Sequence, residues 1–524
     1  MTPFNAPVDD ILFTLEHVAG ASRLPGWDGY LAREIVAQFG RLAAAEIAPA
    51  DEAGDLEGCR LENGRVVMPA GLRAAYGSFV AQGWHALALP EESGGQGMPA
   101  ALAGAVTEIF AAASHALQMV VGLVPGAART IARFGTEAQR ALWLPRLASG
   151  EWLATMALTE PGAGSDLSGV RTQAVLRDGH WQIDGEKIFI SGGDQDLTPR
   201  ILHLVLARSG PAQSGVKGLS LFLVPSHGED GQRLPVTVTR IEEKMGLHGS
   251  PTCQMLFDAA PAQLLGREGD GLREMFTMMN HARLDVSLQG VGHAARAAAI
   301  ARGYAATRRQ GRSGLALDAH ADVRRMLDEA ETIALGLRAL VQMALVEMDL
   351  DESAPLLDFL TPVCKFAGTE GGVAAADLAI QVLGGYGYLR EYRVEQILRD
   401  ARITPIYEGA NGIHAMTLAG RLLRHAEGAA AQAFADWLAP VPATQAAWQA
   451  ARHRMLATED PGAGATAFMR LTVAAASSRV WACLAAAAQH APDPDRLRHL
   501  AARAAAHLPA QIRHHAEMLE IELG

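Results

Sequence analysis

From Ala6 to about Gly150 apolar residues recur at three- and four-residue intervals, as in YLAREIVAQFGRLAAAEIAPA and ALAGAVTEIFAAASHALQMVVGLVPGAARTIARFG. That spacing gathers them on single faces and predicts helices. EESGGQGMP (Glu91 to Pro99) is too rich in Gly, Ser and Pro to continue one and predicts a loop. Between Glu151 and about Gly266 the period falls to two, in HWQIDGEKIFIS, RILHLVLARS, KGLSLFLVP, LPVTVTRI and TCQMLFD. These strands have no helices between them and predict a small antiparallel barrel or sandwich, with a hairpin turn at Asp184-Gly185. Beyond Gly271 the helical period returns, with Leu272, Met275, Phe276 and Met279 on one stripe, and several long patterns predict a bundle. After about His425 an Ala-rich stretch keeps helical spacing and predicts a further helical domain. The expected fold is mainly α with a central antiparallel β domain. Its segments are an extension at 1–36, a helical domain at 37–152, the β-barrel at 153–267, a helical-bundle catalytic domain at 268–425 and the added helices at 426–524.

Composition narrows the function. At 49% apolar over 524 residues, the chain can bury sizeable cores. Its 45 basic and 57 acidic side chains leave a charge of −12, which repels a phosphate backbone or an anionic membrane surface. The four cysteines (Cys59, Cys253, Cys364, Cys483) form no CxxC and have no His at zinc-ligand spacing. Neither a disulfide framework nor a metal site is expected, and a reducing cytoplasm fits. The first residues carry acids rather than a basic leader, and no run of about 18 uninterrupted apolar residues occurs, so neither a signal segment nor a membrane span is expected.

Three stretches carry chemistry. In WLATMALTEPGAGSDLSGVRTQAV a strand pattern ends in a glycine-rich turn, where Thr159, Gly162, Gly164 and Ser165 can offer amides and hydroxyls to a phosphate or a planar ring. The spacing is neither GxGxxG nor GxxxxGK, and a plain tight turn explains it equally. In EKIFISGGD, Phe189 and Ser191 alternate onto one strand face, suited to a flavin and equally to an ordinary strand end. In QVLGGYGYLREYRVEQILRDARITPIYEGANGIHAMTLAGRLL, Glu408 stands between Tyr407 and Gly409, just before a helix predicted to start near Asn411. Apolar walls there would raise its pKa and make it a base for a weakly acidic proton. A simple partner for the helix dipole is the plainer reading.

Together, TEPGAGSD, LGGYGY with RDARITPIYEG, and the α, β, α order resemble the acyl-CoA dehydrogenase family over about Pro69 to Leu423. Longer stretches such as KIFISGGDQDLT and MFTMMNHARLDVSLQGVG resemble its longer branch, typified by 3-methylmercaptopropionyl-CoA dehydrogenase. The resemblance implies FAD, α,β-dehydrogenation of an acyl-CoA to a trans-2-enoyl-CoA, and electron delivery to an electron-transfer flavoprotein. Glu408 would be the base; a second location used by some members holds Ala282, which cannot serve. Cofactor positions carried over are Met156, Leu158, Thr159, Ser165, Phe189, Ser191, Ala410 and Asn411, with Arg308, Gln310, Gln381, Gly384 and Gly385 at the FAD shared with a neighbouring subunit. Ser165, Asn280, Arg283, Tyr407 and Gly409 are the substrate positions.

Departures from the family pattern are Phe189 for a commoner Trp, Ser191 for Thr, Ala410 for a hydroxyl, Asn280 for Asp, and RRQG without the usual phenylalanine. The implied state is a homo-oligomer, a homodimer or a tetramer, with the dimer preferred because the C-terminal extension would cover the surface that shorter relatives use to form tetramers. Substrates left open are 3-methylmercaptopropionyl-CoA and medium or long acyl chains. Competing readings are an acyl-CoA oxidase and a catalytically idle, DNA-binding flavoprotein; the latter needs a strongly basic tail, whereas Arg and His here are scattered among acids.

Overall fold

The longest helix, Gly271–Thr307, has no internal proline and runs for 37 residues. Glycine governs its packing against the Pro355–Leu383 helix. A methyl group on Gly290 would lie 2.0 Å from the Gly368 carbonyl oxygen, and one on Gly368 would lie 2.8 Å from that of Ser287. Only bare backbones fit at this crossing. Arg283 and Lys365 each sit about one turn before it, which ties both positively charged residues to the same rigid contact.

The computed structural model describes residues 3–311 and 314–524, and 63% of the chain is helical. Two compact units result. One takes the chain up to Ala44, Ala100–Ala112 and Arg283–Gly524; the other takes Ala45–Pro99 and Ala113–Ala282. In the first, the Ala321–Leu350 and Pro355–Leu383 helices flank the core, and Arg338 makes a buried ion pair with Glu108 at 2.7 Å. The helices after His425 belong to this same unit. Phe434 stacks on Phe359 with ring centroids 4.7 Å apart, Trp448 meets Phe359 edge-on, and Arg496 reaches Asp328 at 2.7 Å. Ala100–Val121 has the length and hydropathy of a membrane span, and 83% of its most apolar window is buried inside the protein.

The second unit is built on a β-sheet. Its strands follow a small hairpin, β1 (Arg60–Glu62) and β2 (Arg65–Val67): β3 (Trp152–Ala157), β4 (Gln173–Arg177), β5 (His180–Ser191), β6 (Arg200–Arg208), β7 (Leu219–Pro225), β8 (Val236–Ile241) and β9 (Thr252–Leu265). Pairing runs β6-β4-β5-β9-β7 and returns to β6, a closed ring, with β3 added on β6 and β8 on β9. The barrel is therefore closed, and most of its pairs are antiparallel. The exceptions are β3 with β6 and the single contact of β4 with β6, which are parallel. The chain leaves β3 by a long loop and the β4–β5 hairpin before reaching β6, far enough to return in the same direction.

Three local expectations are corrected. Asp184-Gly185 does not turn: β5 runs straight through it, with a register shift against β9 between Ile183 and Gly185. The hairpin turn is the earlier Asp178-Gly179, whose φ values of 48° and 79° give the twist a two-residue hairpin needs. The mostly helical first third also contains the β1–β2 hairpin, closed by Asn63-Gly64 with φ of 51° and 75°. On the long helix Met275 and Met278 are fully buried, whereas Phe276 is 39% exposed, so the stripe lies one position round from its expected place. Gly185 at φ 151° leaves 2.7 Å between a built methyl carbon and the Thr172 Cα. Gly185→Ala is accordingly expected to destabilise the protein by about 1–3 kcal/mol, read as a lower denaturant midpoint.

Candidate active site

Between Ala401 and Asn411 the chain is a run of turns. Ile406 and Tyr407 amides donate to the Ile403 carbonyl, and the Asn411 amide donates to that of Pro405 at 3.0 Å. The backbone thus folds back around Glu408, whose φ of 53°, followed by 86° at Gly409, is left-handed. For glutamate this conformation costs on the order of 1–2 kcal/mol, so the surroundings must hold it. Burial pushes the Glu408 carboxyl from its ordinary 4.5 up to about 7, against the opposing pull of Arg283 and Lys365. Its Oε2 is buried and makes no hydrogen bond among the described residues. A carboxylate in this condition is a stronger base than one in water and has an oxygen free for a substrate proton.

Neighbours of this corner come from three helices. Lys365, on the Pro355–Leu383 helix, is fully buried and donates to the Gly409 carbonyl and to Asn411 Oδ1, both at 2.9 Å. Burial brings its ammonium down to about 7. His414 Nε2 lies 3.1 Å from the Glu408 carbonyl oxygen, and burial lowers this imidazole to about 3, which keeps it neutral. The Tyr407 hydroxyl donates to Gln289 Oε1 on the long helix, so its polar end is held there. The helix after the base starts at Asn411, where Ala410 caps it without a side-chain bond. The Asn411 side chain is turned into the helices: besides Lys365 it reaches Thr369 Oγ1 at 3.1 Å and Glu370 Oε1 at 2.8 Å. These bonds engage both the oxygen and the nitrogen of its amide.

In the second unit, β3 carries Met156, and Leu158 and Thr159 follow it. Thr159 accepts a backbone bond from Ile188 at 2.9 Å, which sets the glycine-rich loop beside Phe189 and Ser191. Phe189 is 60% exposed and its φ is 59°, so the backbone turns its ring outward. Behind the loop, Lys187 donates to Glu160 Oε1 and to the Leu158 carbonyl, each at 2.8 Å, and Glu160 also accepts from the Arg171 and Thr172 amides. The pair is almost wholly inaccessible. Ser165 is exposed on the loop, Gly162 and Gly164 have open space where a Cβ would stand, and Asn280 is exposed on the long helix.

Elsewhere in the first unit, Arg308, Gln310, Gly384 and Gly385 line one open hollow of about 550 Å³. The Arg308 guanidinium lies over Tyr386, 5.6 Å from its centroid. Gln381 is exposed one turn earlier and does not line it.

Three family models match in order: the acyl-CoA dehydrogenase N-terminal domain over residues 32–151, the middle domain over 155–260 and the C-terminal domain over 269–423. The chain is 42% identical over 464 residues to 3-methylmercaptopropionyl-CoA dehydrogenase of Ruegeria pomeroyi, covering 83% of this chain and 79% of that one. The chain belongs to the acyl-CoA dehydrogenase family. Broad-specificity linear acyl-CoA dehydrogenase FadE5 of Mycobacterium tuberculosis is 34% identical over 79% of this chain and 74% of its own. Butyryl-CoA dehydrogenase of Megasphaera elsdenii superposes with a TM-score of 0.67 at 26% identity, over 75% of this chain and 98% of that one. An acyl-CoA dehydrogenase complexed with FAD from Bacillus anthracis shares the fold more completely, at a TM-score of 0.81 and 21% identity over 98% and 92% of the two chains.

Members of this family are FAD-dependent oxidoreductases. The second unit suits such a cofactor. It offers an outward aromatic ring, the hydroxyls of Thr159, Ser165 and Ser191 on one loop and the neighbouring strand, and a glycine turn that admits close approach. Sequence reading missed Lys365, His414 and the Glu160–Lys187 pair. A lysine inside the apolar helical run VCKFAG was a signal for the first, because a buried ammonium needs partners.

Proposed function

We propose that this chain oxidises an acyl-CoA thioester to the trans-2-enoyl-CoA, with Glu408 removing the α proton. The observation that carries this is the Glu408 carboxyl itself, raised to about 7, with a buried oxygen that has no partner and two cations beside it. Near neutrality such a group can take a proton and return it. Arg283 and Lys365 offset the negative charge of the ionised form, and the Glu408 amide is the donor we assign to the thioester oxygen as enolate character develops. Bound FAD supplies the acceptor for the β hydride. Met156, Leu158, Thr159, Ser165, Phe189 and Ser191 are the residues we assign to its ring, and Gly409, Asn280 and Arg283 to the acyl-CoA.

Arg308, Gln310, Gly384 and Gly385, with Gln381 nearby, are assigned to the FAD of a second copy, which makes the enzyme a homo-oligomer, a dimer or a tetramer. Light scattering of the FAD-loaded protein tests this, and a monomer would refute it. We keep the segments 1–36, 37–152, 153–267, 268–425 and 426–524 as the working domain division, and the cytoplasm as the location, where four unpaired thiols are stable. Electron-transfer flavoprotein is the assigned acceptor.

Anaerobic mixing with a panel of acyl-CoAs, 3-methylmercaptopropionyl-CoA and straight C4 to C16 chains among them, should bleach the flavin with at least one. No bleaching by any would reject the reading. Release of peroxide instead of reduction of electron-transfer flavoprotein would make the enzyme an oxidase. With the best substrate, kcat/KM is expected to rise with pH through a limb near 7, as the carboxyl loses its proton.

A further inference from the structure

The aim of the Glu408 carboxyl is set by its backbone, because its buried Oε2 has no hydrogen-bond partner among the described residues. That backbone is two successive left-handed residues, with φ of 53° and 86°, a conformation that relaxes unless it is pinned. Two side chains contact it. His414 meets the Glu408 carbonyl at 3.1 Å from the helix that follows, and Lys365 meets the Gly409 carbonyl at 2.9 Å from a helix about forty residues earlier. Lys365 also donates to Asn411 Oδ1, and the Asn411 amide is fixed in turn by Thr369 and Glu370, on the next turn of the lysine's own helix. The turn after the base is thereby riveted to the Pro355–Leu383 helix by one fully buried ammonium group and one amide.

We infer that Lys365 is a positioning residue for the base: its ammonium holds the Gly409 carbonyl and the Asn411 side chain, and so fixes the direction of the Glu408 carboxyl and places a positive charge beside it. This rests on Glu408 being the base. A lysine kept only for packing is a poor explanation, since burying an ammonium is costly where a methionine would fill the space. The cost is sustained if the site needs both the donor and the charge. The groups facing the carboxyl are Arg283 from the long helix, Lys365 from the Pro355–Leu383 helix, and Tyr407 and His414 from its own segment, with Glu370 and Arg421 acting on the two cations. Arg283, Glu370 and Arg421 are unchanged in the test below.

Lys365→Met is expected to lower kcat about 10- to 100-fold with KM for the acyl-CoA changed by no more than about threefold, because the base is misdirected while substrate contacts stay. The acid limb of kcat/KM should move to higher pH, because one of two cations favouring the ionised carboxyl is gone. Lys365→Gln, which keeps hydrogen-bond donors and lacks the charge, should shift the limb equally and lose less in kcat. It also serves if the methionine variant does not fold. Infrared difference titration of the substrate-free protein, each variant against its own Glu408→Gln counterpart, reads the carboxyl directly and should show the same upward shift. Wild-type kcat with an unmoved limb, or a rate loss that only follows lost FAD content while the carboxyl titrates as before, overturns the inference. If Glu408→Gln itself still bleaches, the reading of function fails instead, and the infrared titration continues to report on Lys365.

Discussion

Replacing Glu408 with glutamine is expected to leave the flavin absorbance intact and to cut reductive bleaching by the best acyl-CoA about 10²- to 10⁴-fold. Glutamine matches the carboxylate in shape and cannot take a proton, so the left-handed corner and its contacts to Lys365 and His414 are kept while the chemistry is removed. Stopped-flow absorbance would measure it, and bleaching at the wild-type rate would take Glu408 out of the reaction. The same variant has a signature in stability. The folded carboxyl holds its proton up to about 7, well above its ordinary 4.5, so over that interval the native state binds more protons than the unfolded chain. Wild-type stability from this group is present in acid and is lost as pH rises through 7. Glu408→Gln does not titrate, and its denaturant midpoint should therefore gain on wild type more at pH 8 than at pH 5.

The second large effect is predicted at Glu160→Gln. It leaves the Lys187 ammonium, which has no solvent exposure, without its counter-charge, and the expected loss is about 3–5 kcal/mol at pH 7. The pH dependence can be worked out from each partner. Glu160 is buried yet held below 4.5 by Lys187 and the Thr172 and Arg171 amides, so its contribution is present above that value and fades as pH falls through the folded one. Burial brings Lys187 down to about 8, so above that pH the amine is neutral and losing the carboxylate costs less. The gap between variant and wild type should thus be widest between these limits, in urea unfolding followed by tryptophan fluorescence. Lys187 also holds the Leu158 carbonyl, so FAD affinity should fall in the same variant, measured by fluorescence on flavin release.

Periodicity carries the architecture because burial of one face is what both helices and strands answer to, and the long helices and the strands of the barrel follow it closely. Turns were harder. Among the Asp-Gly and Asn-Gly pairs of the chain, 63–64, 178–179 and 184–185 adjoin or lie within strands and have the same chemistry, yet only the first two close hairpins. The third is overridden by β9, which pairs along β5 on both sides of the bulge and keeps it straight. Neighbouring strands decide such cases, and they lie far off in sequence. The irregular corner at Glu408, just before the helix that starts at Asn411, was legible from its aromatic and glycine neighbours. For Lys365 the apolar run VCKFAG signals a buried ammonium, but not its partners: one acceptor is the Gly409 carbonyl, which no residue letter encodes, and the other is the side chain of Asn411, forty-six positions away. For Asn411 the position at a helix start is readable, whereas the inward turn of its amide depends on Thr369 and Glu370.

The outward placement of Phe189 follows from its left-handed backbone, between the buried Lys187 and Ile190. A planar molecule arriving at that surface meets an aromatic side chain that the strand already presents, so the backbone need not be reorganised on contact.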